Sequence, residues 1–511
     1  MSSDEIVVDV VIVGAGMAGL YTAWRLLSRN PAIRVCLVER LPRTGGRLES
    51  DHVIIDGVSI KTEEGGMRFL SSHVELLSLL QELQLSDKIV PFPMGDDHNF
   101  YYLRGMRFTR GEALQDPYIW SRLYTLDAGS IGQQPGAILV GLLTAVLKEN
   151  GVDPHSWPAT PDAWTTLRTQ YTWRGIPTYR WGFWAMLTDF GLSPDCIEML
   201  YQSSGFIAPF DQEVNAGCAL QLLVDFVDPT FHTLAPGYET LPDTLAGKIT
   251  AMGAQLRLEH EVVGMERDKD KWVLHARKAG GQLVTLRATR AVFAVTQLAL
   301  QKLLPFVPVF RDSPQFTSDV NALTDMELGK INLYYESNWW TPASGVSSGG
   351  SWTDLPLAQF YCFGTEGSAN GGPASITLYT DYYRTAYWAQ LQALGDPYVV
   401  PGGPTLPPDS EPASTFVVKE ATRQMQALFG LASLPAPLVA TYRRWGVPSA
   451  GDGDHQWRMG ARDDEIRARL TSPFPHVHTC GESYSDDQAW VNGALRSVDQ
   501  MLAAHPDLAT R

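Results

Sequence analysis

Three glycines, Gly14, Gly16 and Gly19, stand as G-x-G-x-x-G, and Glu39 follows twenty residues beyond the last of them. The first glycine of such a set makes a tight turn, the second lets a pyrophosphate approach the backbone, and the third lets a helix pack closely on a strand. Met17 and Ala18 fill the intervening places, where N–H groups at a helix start face phosphate. A carboxylate at the position of Glu39 accepts from ribose hydroxyls and disfavours the 2′-phosphate of NADP. The pattern does not separate NAD from FAD, and a tight turn without ligand is its alternative reading. Just beyond, RLPRTGGRLES carries Arg40, then Gly45, Gly46 and Arg47, a second close backbone approach with a cation for the pyrophosphate.

A different chemistry is offered by TEEGGMRFL, which spans Thr62 to Leu70 and places Arg68 behind Gly65, Gly66 and Met67. A guanidinium is always charged and matches a carboxylate or phosphate with a flat fork of donors. Arg68 therefore holds either a ligand anion or a structural partner, Glu63 or Glu64. In ELGKINLYYES, alternation puts Lys330, Asn332 and Tyr334 on one strand face. A strand lysine ordinarily points to solvent. Near the end, HTCGESYSDDQAWVNGAL sets Glu482 after a strand and Ala489, Trp490 and Val491 at the start of an apolar helix. Packing alone explains Trp490 equally well as core.

These residues need elements to hold them. The apolar run Val10 to Val13 reads as a strand buried on both faces, GAGMAG as a turn, and Leu20, Ala23, Trp24 and Leu27 as a helical stripe. IRVCLVER, Ile33 to Arg40, is the second strand of this βαβ unit. Residues 111–231 are rich in helix formers and tryptophan. Strand patterns return between Leu256 and Val295, and again in KINLYYES and ASITLYTDYY, separated by Gly/Ser/Pro-rich loops.

At 511 residues the chain exceeds one core, so two or three domains are expected. A formal charge of −16 argues against nucleic-acid and anionic membrane surfaces. No apolar run is long enough to span a bilayer. The acidic N-terminus leads into a strand rather than a signal peptide, and a cytoplasmic enzyme is the expectation. Five scattered cysteines match neither a disulfide framework nor zinc spacing. Asp225, Asp228 and His232 lack metal spacing, and no metal is expected. Asp454-His455 lies in a Gly-rich loop and is read as lining an entrance.

Taken together, GAGMAG with Glu39, GGR, E-x-G-G-M-R, PGYETLP and GES…WVNGAL resemble the flavin-dependent amine and L-amino acid oxidases, in the family's order from Val8 to about Met501. The resemblance implies an α/β fold with a Rossmann-like FAD-binding domain built from 5–73, 232–321 and 452–511. It further implies a mixed-sheet substrate domain of 74–112 and 322–451 and a helical domain of 113–231. It implies FAD along Gly46, Arg47 and Glu482, with Val262 of HEVV beside the adenine. Some members attach the flavin to a late cysteine; GVPSAGDGDHQW has none, so FAD is expected to be non-covalent.

Within the family, arginine at E-x-G-G-M-R separates amino acid oxidases from amine oxidases and grips the substrate carboxylate, a role this assigns to Arg68. The second carboxylate partner is expected to be Tyr361 of AQFYCFG, with Tyr379, Tyr382 or Tyr383 as substitutes. Lys330 matches a lysine that reaches flavin N5 through a water. Trp490 matches a tryptophan bordering the substrate, and the Ala489 carbonyl accepts from its amine. The implied reaction is oxidative deamination of an L-amino acid by O2 to a 2-oxo acid, ammonia and hydrogen peroxide. An amide-forming monooxygenase and a monoamine or polyamine oxidase are the alternatives. Trp181, Phe183, Trp184, Phe206 and Phe210 suggest an aromatic wall, and no acidic residue is assigned to the pocket, so aromatic or large apolar substrates are expected. Homo-oligomerisation is left open by the sequence.

Overall fold

The structure, a computed structural model, describes residues 5–227, 230–363, 371–447 and 451–510. The first strand, Glu5–Val13, runs parallel to Val35–Val38 on one side and to Leu283–Phe293 on the other. Being flanked on both edges and covered on both faces, its last six residues are buried, as the unbroken apolar run requires. The following helix, Met17–Arg29, buries Leu20, Ala23, Leu26 and Leu27 against this sheet. The second strand is shorter than the run Ile33 to Arg40. Its ladder ends at Val13↔Val38, because the chain turns away at Gly14 with φ +98°.

The complete sheet has seven strands. In order these are Gln255–Arg257, Val35–Val38, Glu5–Val13, Leu283–Phe293, Lys271–Lys278 and His260–Asp268, with Val477–Thr479 beside the end of Leu283–Phe293. It is assembled from the start, middle and end of the chain. Parallel pairing holds around the first strand, whereas His260–Asp268, Lys271–Lys278 and Leu283–Phe293 form an antiparallel meander.

A second seven-stranded sheet runs Val439–Trp445, Leu328–Tyr335, Ala374–Asp381, Gln359–Phe363, Gly349–Thr353, Phe100–Leu103 and Met106–Thr109. It mixes antiparallel pairs with one parallel pair, Gly349–Thr353 against Phe100–Leu103. Between Arg110 and Val224 lie seven α-helices around a core of Trp120, Phe183, Met186 and Phe210. Thr160 and Ser193 cap two of them, each followed by proline in the first turn, where its missing N–H costs nothing. A small sheet, Phe69–Leu70, Phe231–Leu234 and Ile89–Pro91, ties the segment after Arg68 to the chain leaving the helices. No helix among the described residues is long and apolar enough to cross a membrane.

Candidate active site

A cavity of about 1100 Å³ is lined both by Glu39, Arg40 and Val262 and by Arg68, Lys330 and Trp490. That exceeds the roughly 300–1,000 Å³ of ordinary small-molecule pockets. Its glycines are placed by sterics. A Cβ on Gly19 would lie 1.9 Å from the Gly14 carbonyl oxygen, so helix and strand could not pack. Gly16 and Gly46 face one another, and a Cβ on Gly46 would meet the Gly16 Cα at 3.3 Å, filling the space a phosphate group would use. Gly16 also starts the helix Met17–Arg29 with no side-chain cap, leaving its first N–H groups to a ligand. Glu39 braces this turn, accepting from Ala15 N (2.9 Å) and Leu41 N (2.8 Å), and it still lines the cavity. A carboxylate retains acceptor capacity for ribose beyond those two bonds. This backbone cradle fits a dinucleotide. None of the five cysteines lines the cavity.

Arg47 donates to Glu482 Oε2 and to the Gly453 carbonyl, both at 2.6 Å. Glu482 also faces His455 Nδ1 at 3.0 Å and accepts from Ala489 N at 2.8 Å. Burial alone would raise the Glu482 carboxyl, but Arg47 and then His455 hold it down to about 2. His455 is not at an entrance: it is fully buried on the strand Asp454–Trp457, which pairs with Leu323–Met326. Burial disfavours its charge, yet Glu482 and Asp452 push the imidazole up to about 10. Asp454 does line the cavity, and burial next to Glu482 pushes its carboxyl up to about 8. Asp325, Asp452 and His455 bring ligand atoms within 4.8 Å of one another. The imidazolium, bonded to Asp452 and Glu482, already supplies a cation to that cluster.

Arg68 is buried and lines the cavity. It donates to Tyr361 Oη (3.1 Å) and contacts Met94 Sδ (3.3 Å). Its guanidinium carbon lies 4.7–5.6 Å from the ring centres of Phe92, Phe226, Phe231 and Tyr361. Neither glutamate of TEEGGMRFL pairs with it. Glu63 accepts from Ser50 Oγ and Tyr238 N, while Glu64 accepts from Asn332 Nδ2 and Thr441 Oγ1. Among the described residues no carboxylate bonds Arg68.

Lys330, Asn332 and Tyr334 share one face as alternation predicts. They reach Glu63, Glu64 and Thr62 in turn. Lys330 is 2% exposed rather than solvated. Its Nζ donates to the carbonyls of Glu63 (2.8 Å) and Gly65, and it lines the cavity. Burial lowers its pKa to about 8, against the pull of Glu63 and Glu64. Two carbonyls cannot stabilise the ammonium as well as a paired carboxylate does.

Trp490 lines the cavity, with its Nε1–H donating to Asp225 at 2.8 Å and its ring edge-on to His73. Burial pushes the Asp225 carboxyl well up. Trp490 starts the helix Val491–Ala504 without a side-chain cap, and Ala489 before it holds a left-handed φ of 70°. Ala489 and Val491 also face the cavity.

Several expectations need correction. Tyr361 does not line the cavity: its hydroxyl sits between Arg68 and Gln359, so it holds the arginine from behind, and Tyr379 faces the cavity instead. Tyr382 and Tyr383 are exposed on the surface. Of the aromatic wall only Phe206 lines the cavity. Phe183 and Phe210 belong to the helical core, and Trp181 and Trp184 pack against it, because the helical repeat reports burial but not which space a face meets. Gly19 serves packing rather than the cavity wall. An acidic residue does reach the wall: Asp381, which accepts from Ile207 N and Ala208 N. Phe226, Leu222 and Leu223 were without any sequence signal beyond apolarity. Asp225 and His232 do not converge on a ligand, since His232 stacks near Phe69, and Asp228 lies outside the described residues.

The chain matches the flavin containing amine oxidoreductases over residues 17–498 and belongs to that family. It is an oxidoreductase of amine-type substrates, and its cofactor is FAD. Its relatives include achacin of Lissachatina fulica, 24% identical over 97% of this chain and 92% of that one. A flavin-dependent L-tryptophan oxidase of Lentzea aerocolonigenes is 23% identical over 96% of both chains. In fold it resembles a putrescine oxidase double mutant, with a TM-score of 0.66 and 17% identity over 99% of this chain and 100% of that one.

Proposed function

We propose that this flavoenzyme oxidatively deaminates L-amino acids, with aromatic or large apolar side chains preferred. One observation carries the reading: Arg68 is a buried guanidinium on the cavity wall with no carboxylate bonded to it among the described residues. Desolvated arginine is costly without an anion, so a carboxylate arriving from outside completes the site. Four aromatic rings and the Tyr361 hydroxyl keep its fork in place before substrate comes.

FAD, held along Gly14, Gly16, Gly46 and Arg47, would supply the two-electron oxidation of the substrate Cα–N bond, with dioxygen as final electron acceptor and hydrogen peroxide as its product. The protein's part is positional. Arg68 binds the α-carboxylate and sets the orientation of Cα–H. The Ala489 carbonyl accepts from the neutral amine, and Trp490 closes one side. Lys330, in Lys–NH3+ form, favours negative charge developing near it. Phe206, packed against both Phe226 and Tyr379, offers with them an apolar seat for the side chain. The imino acid takes up water, yielding a 2-oxo acid and ammonia. The kinship with an L-tryptophan oxidase supports this preference.

Product analysis tests the proposal. Incubation with L-phenylalanine or L-tryptophan in air is expected to yield 2-oxo acid, ammonia and peroxide in equal amounts. An amide with loss of carbon dioxide would identify a monooxygenase instead.

A further inference from the structure

The imidazole of His455 is held more tightly than any role at an entrance would need. Its Nδ1 is 3.0 Å from Glu482 Oε2 and 3.1 Å from Ser483 Oγ, and its Nε2 is 3.2 Å from Asp452 Oδ2. With a carboxylate at each ring nitrogen, both nitrogens donate, which requires the protonated ring. Both carboxylates work elsewhere as well. Asp452 Oδ2 accepts from Leu298 N (2.8 Å), at the start of the helix Gln297–Leu303. Glu482 divides its two oxygens: Oε2 takes Arg47, and Oε1 takes the N–H of Ala489. Ala489 needs such a restraint, because a side chain disfavours its positive φ.

We infer that His455 is a positioning residue which, through Glu482, locks the phosphate end of the cavity to its reacting end. The protonated ring fixes one carboxylate, and that carboxylate holds Arg47 toward the cofactor and the Ala489–Trp490 peptide toward the substrate. With a neutral residue at 455, Arg47 is left as the cation nearest two buried carboxylates, Glu482 and Asp452. One of them then takes up a proton or draws in water, and an uncompensated buried charge is avoided at the expense of geometry. Arg47 and the left-handed peptide at Ala489 loosen together. FAD retention and amine positioning are therefore two readings of one contact. The second reading rests on the amino acid assignment made above, while the first stands on FAD alone.

The test uses the full chain as His455→Gln, His455→Lys and Leu323→Ala. The last removes a fully buried side chain from the paired strand without touching the network, so it reports plain loss of packing. Apo-protein is titrated with FAD and followed by quenching of flavin fluorescence. KM and kcat are then measured at saturating FAD with whichever substrate reduces the wild type. His455→Gln is expected to weaken FAD binding about tenfold or more, the scale of one charged hydrogen bond. It is also expected to raise KM more than it lowers kcat. His455→Lys, which restores a cation, recovers most of both losses. Leu323→Ala lowers the melting temperature and leaves both constants unchanged. Unchanged FAD affinity in His455→Gln, or changes that merely follow melting temperature across all three variants, overturns the inference. If no amino acid or amine reduces the wild type, the substrate assignment fails, and the FAD titration still decides the role of His455. Should His455→Gln not fold, Asp452→Asn, which frees the other ring nitrogen, carries the same expectation at smaller size.

Discussion

The two ends of the cavity are built by opposite means. The phosphate end is first of all backbone: Gly16 and Gly46 clear space, Gly14 lets the turn pass the Ala294 carbonyl, and the uncapped helix start at Gly16 presents N–H groups. Nearly all of it comes from one short run of sequence. The reacting end is side chains brought from far apart. Arg68 is bonded to a residue 293 positions away, and Lys330 to one 267 positions away. A backbone site fails outright on an added Cβ. A side-chain site fails piecemeal, in proportion to each contact removed.

The sharpest break of that contrast is Gly19→Val. Its Cβ would lie 1.9 Å from the Gly14 carbonyl oxygen, so the first turn cannot form. Expression is expected to give no yellow, soluble protein. Gly19→Ala, with the same first atom, fails as well. Normal flavin content in either would refute the packing account.

Arg68→Ala tests the other end and is smaller. The flavin stays bound, and kcat/KM for an amino acid falls by about 1.5–3 kcal/mol or more, the range for a charged hydrogen bond. Arg68→Lys does not restore full activity, because the flat fork is lost. Smaller again is Tyr361→Phe. Since Tyr361 acts from behind Arg68, removing its hydroxyl is expected to cost about 0.5–1.5 kcal/mol in kcat/KM, with flavin content unchanged.

The smallest effect concerns pH and the link between the ends. His455 faces Asp452, Glu482, Asp325 and Asp454, with Arg47 beyond Glu482. Its pKa is raised from 6.5 to about 10, so its stabilisation is complete below 6.5 and is lost as pH rises toward 10. The melting-temperature gap between wild type and His455→Gln should thus be widest at mildly acidic pH and narrow steadily in alkali. A gap that widens with pH would mean that the ring is neutral in the folded protein.

The contrast between the ends also governs what could be read from sequence. The glycine motif was legible because strand, turn and helix are adjacent and each glycine has a local steric reason. Arg68 was visible as a cation near glycines. Its freedom from Glu63 and Glu64 depends on where Ser50, Asn332 and Thr441 fall, which no spacing states. The motif around Tyr361 points to the substrate, whereas its hydroxyl bonds Arg68 and the residue is absent from the cavity wall, since a strand residue's neighbours are set by sheet order. The burial of His455 is hidden from the sequence for a related reason. A glycine-rich stretch suggests surface, but His455 stands on the buried strand Asp454–Trp457, where four acidic groups and Arg47 meet. The aromatic run from Trp181 to Phe210 advertised burial correctly and the cavity wrongly, apart from Phe206.

The central claim is that Arg68 reads a carboxylate. The oxidised protein is mixed without oxygen with L-phenylalanine and, separately, with phenethylamine, which lacks only that carboxylate, and the visible flavin absorbance is followed. The account predicts that the amino acid bleaches the flavin and the amine does not. Bleaching by the amine alone would contradict it, leaving Arg68 without a substrate role and the cavity to an amine.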